Sequence, residues 1–305
     1  MFASLAFFAA AAQLNQIVIP IQKPPRQIEK PIAPIETNGP MFAAACKDWD
    51  DWEKPAPPVR IHANTFLVGT CGISSILITG SQGHVLIDGG TEAGADLIAA
   101  NIRKLGFRLS DVRVILNSHE HNDHVAGIAR LQQLTGAQVY ASPVAARVLA
   151  TGVASPDDPQ AGMQKPFPAA RVDRVIQDGG TVRRFDILLT ATATPGHTPG
   201  ALTWHWESCK DGICRTIVYG DSLTPVSRDD YRFSDHPQYL AAYRASIAKV
   251  AAMDCDILLT PHPSASDMVR RLAHAKVDDP GACRDYAASL TKQLDERLAK
   301  EAAGK

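Results

Sequence analysis

The chain has 305 residues, 45% hydrophobic and 21% charged, with 31 Lys and Arg against 32 Asp and Glu for a net charge of −1. That content can bury a full core, as one large domain or two merged halves. Scattered basic residues at near-zero net charge argue against nucleic acid as the main partner, which normally demands a basic face.

Residues 1–12 form a short apolar run ending in small residues. The pattern is that of a signal-peptide core with an Ala-x-Ala-type cleavage site, although the usual positive start is missing. The run is too short to span a bilayer, and no other segment is long enough for a membrane helix. Residues 13–40 hold many prolines and few periodic apolar positions, and read as a loose segment ahead of a single folded domain at 41–305.

Within that domain the pattern predicts strands over 59–69, 73–80 and 83–88 and a helix over 92–105. The next strand ends near 118, and apolar positions at Val125, Ile128, Leu131 and Leu134 predict a helix running to about 135. A strand at Gln138–Ala141 and a helix at Pro143–Ala150 follow, then a stretch rich in Pro, Asp and Gly over 151–170. That stretch reads as a surface loop, with a substrate-covering flap as the alternative. Strands over 173–177, 182–194, 201–206 and 214–219 lead to a helix over 237–252, a strand over 256–260 and helices to the end. Two groups of strands, each with helices behind, predict two sheets packed face to face with helices outside.

The most informative segment is His119-Glu120-His121-Asn122-Asp123-His124, placed where a strand gives way to a helix. Side chains at i and i+2 of extended backbone point the same way, so His119 and His121 can converge on one metal ion. Asp123 and His124 lie beyond the bend and can address a second. Imidazole and carboxylate without thiolate suit zinc in a catalytic site. His197, in Thr-Pro-Gly-His-Thr-Pro-Gly, and His262, in Leu-Leu-Thr-Pro-His-Pro, each follow a strand-like run in a loop stiffened by proline or glycine. Together these positions offer six ligands, enough for two zinc ions with positions left for water. His62, His84, His205, His236 and His274 lack that setting: His84 and His205 read as strand residues and His274 as a helix-surface one. Glu120, if it faced inward, would add negative charge beside the metals and tighten their binding.

The six cysteines avoid the ligand loops and have no zinc-knuckle spacing, as an exported, disulfide-bonded protein would show. Cys209 and Cys214 flank Lys-Asp-Gly-Ile, an Asp-Gly hairpin turn that a disulfide can staple. Six cysteines allow fifteen pairings, so spacing alone leaves the connectivity open.

The H-x-H-x-D-H cassette, the Gly-His-Thr loop, Gly220-Asp221-Ser222 and the late histidine together resemble the metallo-β-lactamase superfamily. Asp221-Ser222-Leu223-Thr224, Tyr231-Arg232-Phe233-Ser234-Asp235-His236-Pro237 and Asp256–Pro263 narrow the resemblance to the subclass 3 zinc enzymes of class B, over about residue 50 to the C-terminus. The resemblance implies an α+β fold, a four-layer αββα sandwich with a dinuclear zinc site at one edge of the sheets. It assigns His119, His121 and His197 to one zinc and Asp123, His124 and His262 to the other. It implies a zinc-bound hydroxide that opens the β-lactam ring of penicillins, cephalosporins and carbapenems, with Asp123 orienting the nucleophile. Ser222 and Thr224 would bind the substrate carboxylate, and Tyr231 either donates to the oxyanion or packs in its loop. Asp221 lies behind the ligands or, as in thioesterase-like relatives, bridges both metals; Asp88 orients a ligand or merely makes a polar turn. Cys255–Cys283 matches a disulfide of the same subclass, which leaves Cys46 for Cys71. A periplasmic or secreted monomer acting on a small-molecule β-lactam follows, with a thioesterase or lactonase of the same fold as the alternative and a zinc-binding module without catalysis as the third reading.

Overall fold

Ile76, Ile78, Val85, Ile87, Val114 and Leu116 point one way from their strands while Leu77, Leu86 and Ile115 point the other, and both sets are fully buried. A strand with two apolar faces must lie inside a layered fold. The structure, a computed structural model, describes residues 39–47 and 51–304. The leader-like run 1–12 and residues 13–38 lie outside them.

In chain order the first half contains α1 (Gly39–Ala45), β1 (Val59–His62), β2 (Thr65–Leu67), β3 (Ile76–Ile78), β4 (His84–Ile87), α2 (Gly94–Lys104), β5 (Val112–Leu116), α3 (Asn122–Val125), α4 (Ile128–Thr135), β6 (Gln138–Ala141), α5 (Pro143–Thr151) and β7 (Arg174–Val175). The second half contains β8 (Thr181–Arg184), β9 (Ile187–Ala193), β10 (Leu202–Lys210), β11 (Ile213–Tyr219), α6 (Pro237–Ala251), β12 (Ile257–Leu259), α7 (Met268–Ala273) and α8 (Ala282–Ala302). Strands β1 to β7 form one sheet in sequence order, and the second sheet runs β12-β11-β10-β9-β8. Between the sheets, Ile76, Ile87 and Leu116 meet Leu189, Trp204, Ile217, Tyr219 and Leu259. Behind the first sheet, Leu77, Leu86 and Ile115 pack on Ile98 and Ile102 of α2 and Leu131 of α4. Behind the second, Val218 and Leu258 pack on Tyr243 and Val250 of α6 and Leu290 and Leu294 of α8. The order is helix, sheet, sheet, helix, as the resemblance implied.

Several boundaries differ from the sequence reading, each at a turn the apolar pattern hides. The strand expected over 59–69 is a hairpin, β1 and β2, turning at Ala63 with φ 42°. The strand expected over 182–194 is likewise β8 and β9, turning at Phe185 with φ 48°. The helix expected to reach 135 breaks between α3 and α4, where Gly127 presses on the neighbouring loop: a Cβ there would sit 2.2 Å from the Gly89 carbonyl oxygen. The Asp211-Gly212 turn does form, with φ 53° and 81°, and sets Cys209 directly opposite Cys214. The three disulfides are Cys46–Cys71, Cys209–Cys214 and Cys255–Cys283.

The strand ends position the site. β4 runs parallel to β5, and β11 parallel to β12. Asp88, His119, Asp221 and His262 all follow the carboxyl ends of these strands, and His197 follows β9. The loops therefore gather at one edge of the two sheets.

His84, a strand residue as expected, is 1% exposed and meets Phe107 edge to face at 4.9 Å between ring centres. Its Nδ1 accepts from the Gly80 amide at 3.4 Å. Burial holds its pKa down at about 4, below the ordinary 6.5 of a histidine. The unfolded chain thus takes up this proton before the folded one, so the stability is complete above about pH 6.5 and is lost as pH falls towards 4. The shift is worth about 3 kcal/mol. Denaturant unfolding of His84→Phe should lose about 3 kcal/mol less than the parent chain between pH 7 and pH 4; equal losses would remove His84 from the acid response.

Candidate metal centre

The first cluster is built from two loops. His121 keeps extended backbone, with φ −74° and ψ 151°, just before α3 begins. Its neighbour two residues back, His119, therefore shares its side of the chain. His197 comes from the Pro195–Gly200 loop after β9. The three rings lie 4.8–5.0 Å apart between centres, all buried, and one nitrogen from each falls into a group with mutual separations under 4.8 Å.

Each ring is aimed by a partner on its other nitrogen. His119 Nδ1 meets Asp221 Oδ1 at 2.8 Å, His121 Nε2 meets Asp158 Oδ2 at 3.0 Å, and His197 Nδ1 donates to the Thr224 carbonyl oxygen at 2.9 Å. Those contacts fix the tautomers and leave Nε2, Nδ1 and Nε2 respectively for the centre. His119 Nε2 is buried with no partner among the described residues. Burial and the neighbouring imidazoles hold the His119 pKa well below its ordinary value, and burial with His121 and His119 lowers that of His197 to about 3. Neutral imidazoles with inward lone pairs are the donors of a divalent-metal centre.

The second cluster is tighter. His124 Nε2, His262 Nε2 and Asp123 Oδ2 form a triangle with edges of 3.1, 3.3 and 3.3 Å. Burial pushes the Asp123 carboxyl up, but His124 and His262 overcome it and hold the group well below the usual carboxylate range. His262 Nδ1 points to the Gly72 carbonyl oxygen at 3.3 Å, and the two clusters touch through His119 and His124, 4.3 Å apart between ring centres. Two imidazole nitrogens and a carboxylate oxygen this close together fit a second cation.

Asp88 closes the floor. It adopts φ 66°, a left-handed conformation costly for a residue with a Cβ, and is fully buried. Its carboxylate accepts from the Ser118 amide at 2.6 Å, the Ser118 hydroxyl at 2.8 Å and the Tyr219 hydroxyl at 2.7 Å, and lies 3.7 Å from His124 Nδ1. Asp88 thus joins β4 to the start of the cassette rather than making a simple polar turn. Opposite, Leu223 also takes a left-handed φ of 44°. The Tyr243 hydroxyl donates to its carbonyl at 2.7 Å, and the Tyr286 hydroxyl reaches the carbonyls of Asp221 at 2.8 Å and Ser222 at 2.7 Å. Helices α6 and α8 therefore hold the 221–224 turn from behind. Ser222 is 2% exposed and its hydroxyl has no partner among the described residues.

The structure revises two expectations and adds two residues. Asp221 places Oδ1 on the back of His119 at 2.8 Å, where a residue behind the ligands would stand, and its Oδ2 is buried with no partner among the described residues. Glu120 does not face the clusters; its carboxylate accepts from the Thr198 hydroxyl at 2.9 Å and the Gly200 amide at 2.8 Å. The alternation that pairs His119 with His121 turns the residue between them away. Tyr231 is held by its loop, stacked on His236 at 4.4 Å and covered by Arg228 at 5.5 Å. The stretch 151–170, read as a surface loop, is buried at its middle: Asp158 is fully buried and Gln160 is 5% exposed, with Nε2 3.4 Å from His197 Nε2. Nothing in the spacing of that Pro- and Asp-rich stretch marked either residue, because its contacts lie 37 residues away in sequence.

Removing a ligand's orienting partner typically costs 10–100-fold in metal affinity. Asp158→Ala should therefore weaken divalent-metal binding roughly tenfold or more in a chelator competition, and Asp158→Asn, which keeps an acceptor for His121, much less. Parent-like affinity in Asp158→Ala would exclude the orienting role.

Comparison with known proteins agrees with the geometry. The family model for the metallo-beta-lactamase superfamily matches residues 68–262. The solved structure of the MIM-2 metallo-beta-lactamase superposes with a TM-score of 0.84 at 53% identity, covering 87% of this chain and 100% of that one. MEM-A1, a subclass B3 metallo-beta-lactamase isolated from a soil metagenome library, superposes with a TM-score of 0.80 at 44% identity, covering 84% of this chain and 100% of that one. A hydroxyacylglutathione hydrolase of Methylobacterium nodulans is 33% identical over 116 residues, 38% of this chain and 36% of that protein. The chain spans 34% to 59% of the length of the curated relatives it matches. With a family match over most of its length and both histidine clusters at the expected edge, the chain belongs to the metallo-beta-lactamase superfamily.

Proposed function

We propose that this hydrolase is a zinc β-lactamase of subclass B3 type, opening the lactam ring of penicillins, cephalosporins and carbapenems. His119, His121 and His197 would hold one zinc ion, and Asp123, His124 and His262 a second. Bound there, the two ions would supply an acidified water and polarise the lactam carbonyl. The observation that carries the choice over a thioesterase or lactonase is Asp221. Its Oδ1 is engaged behind His119 at 2.8 Å, which suits a residue that orients a ligand, and the buried Ser222 hydroxyl beside it stands without a partner among the described residues.

The chain's own groups divide the remaining work. Asp123, kept ionised by the two imidazoles beside it, is the acceptor that can orient a water and take its proton. Ser222 would donate to the substrate carboxylate. Thr224 would join it through its hydroxyl, which also lies 3.1 Å from His197 Nδ1. Tyr231 would offer its phenol to the developing oxyanion when its loop closes on substrate. No acyl-enzyme is required, since the nucleophile is water; the Ser-x-x-Lys spacings of the chain, Ser246–Lys249 on α6 and Ser289–Lys292 on α8, lie outside the histidine clusters. We further read residues 41–305 as one catalytic domain, a monomer, and residues 1–12 as an export signal directing it to the periplasm; three disulfides among the described residues support an oxidising compartment.

Purified protein should hydrolyse a penicillin and a carbapenem, lose that activity to a chelator and regain it with zinc. Hydrolysis of a glutathione thioester by zinc-loaded protein that leaves lactams intact would transfer the assignment to the thioesterase reading. Ser222→Ala should raise KM for a penicillin roughly tenfold, the worth of one hydrogen bond to a charged group, with a smaller effect on kcat. An unchanged KM would remove Ser222 from carboxylate binding.

A further inference from the structure

Glu120 lies between two candidate ligands of one cluster yet makes no contact with the centre. It is 2% exposed, and both carboxylate oxygens are used on a single loop: Oε2 takes the Thr198 hydroxyl at 2.9 Å and Oε1 the Gly200 amide at 2.8 Å. That loop carries His197. The loop is self-closed at its base, with the Thr194 amide donating to Ala201, and its tip is buried: Thr198 is fully buried. The fit is close on both sides. A Cβ at Gly200 would stand 2.6 Å from Glu120 Oε2 and 2.9 Å from the Ala145 amide, and a Cβ at Gly196 would stand 2.3 Å from the Tyr243 ring.

From this geometry we infer that Glu120 is a positioning residue that locks the His197 loop to the His119–His121 segment and so sets the metal affinity of the three-histidine cluster. The inference rests on reading His119, His121 and His197 as metal ligands. Two of those rings ride on the backbone that carries Glu120, and the third lies one residue from its hydrogen-bond donor Thr198. The two bonds therefore span a join in the cluster that chain connectivity does not supply. The second cluster shares no such contact: Asp123 and His124 meet His262 without the 195–200 loop. A loose clamp would leave two histidines in place and let the third wander, which penalises one site and spares the other.

The test is a cobalt(II) titration of the metal-free protein followed by its visible absorption, with His197→Ala and His262→Ala as references that assign each equivalent. Glu120→Ala should weaken the three-histidine equivalent roughly tenfold or more, the usual cost of losing a ligand's support, and leave the other unchanged. Thr198→Val, which keeps the Glu120 charge and removes one donor, should weaken the same equivalent severalfold. Combined with Glu120→Ala it should add nothing further, because both changes open one clamp. Glu120→Gln should fall between parent and Glu120→Ala, since it retains an acceptor for one of the two donors. Parent-like binding by Glu120→Ala would overturn the inference. So would a silent Thr198→Val beside a Glu120→Gln as weak as Glu120→Ala, because charge rather than attachment would then govern affinity. Equal weakening of both equivalents would also overturn it, reducing Glu120 to general support of the fold. A parent chain that takes up no cobalt or zinc would instead sink the metal reading itself.

Discussion

An imidazole offers a metal one lone pair, and only if its other nitrogen is satisfied elsewhere; that constraint organises this molecule. Four of the five histidines at the centre hand their far nitrogen to an acceptor, and the acceptors come from three separate segments. They are Asp221 after β11, Asp158 in the stretch before β7, the Thr224 carbonyl, and the Gly72 carbonyl between β2 and β3. Gathering ligands is thus half of the construction. The other half is bringing a second ring of acceptors up behind them.

The two sheets solve that problem through direction. Parallel pairing of β4 with β5 and of β11 with β12 sends the chain out of the core repeatedly at one edge. Each exit is short, so each loop is held within a few residues of a buried strand. Backbone strain is concentrated there as well: Asp88 and Leu223 both take left-handed conformations at that edge, and both are tied down by tyrosine hydroxyls, Tyr219 for Asp88 and Tyr243 for Leu223. Helices α6 and α8 thereby do more than cover the second sheet, since Tyr243 and Tyr286 reach through to fix the 221–224 turn. Such support sits on rigid elements, which suits a site whose geometry tolerates little error.

Local pattern revealed some of this and missed the rest for identifiable reasons. The i, i+2 spacing of His119 and His121 determined that they share a side; the same rule, not applied to Glu120 in the sequence reading, puts that residue opposite, away from the clusters. Periodicity placed β6 at Gln138–Ala141 and found the helix now seen as α6, but it merged β1 with β2 and β8 with β9. Ala63 and Phe185 turn those hairpins with positive φ at residues that carry no turn signal, so only tertiary pairing reveals them. The α3–α4 break likewise comes from Gly127 meeting Gly89, a contact between distant segments.

What the sequence by itself determined was the set of chemical groups and their order: six candidate ligands, six cysteines, an Asp-Gly hairpin, and two groups of strands, each with helices behind. Those features depend on near neighbours along the chain, where backbone geometry is periodic. The tertiary structure alone decided which nitrogen of each imidazole faces inward, that Asp221 stands behind His119, that Asp158 lies buried beneath a loop with no marking of its own, and that Glu120 clasps the His197 loop. These are hydrogen bonds across 27 to 190 residues of sequence, and a pattern read along one chain has no term for groups that meet only after folding.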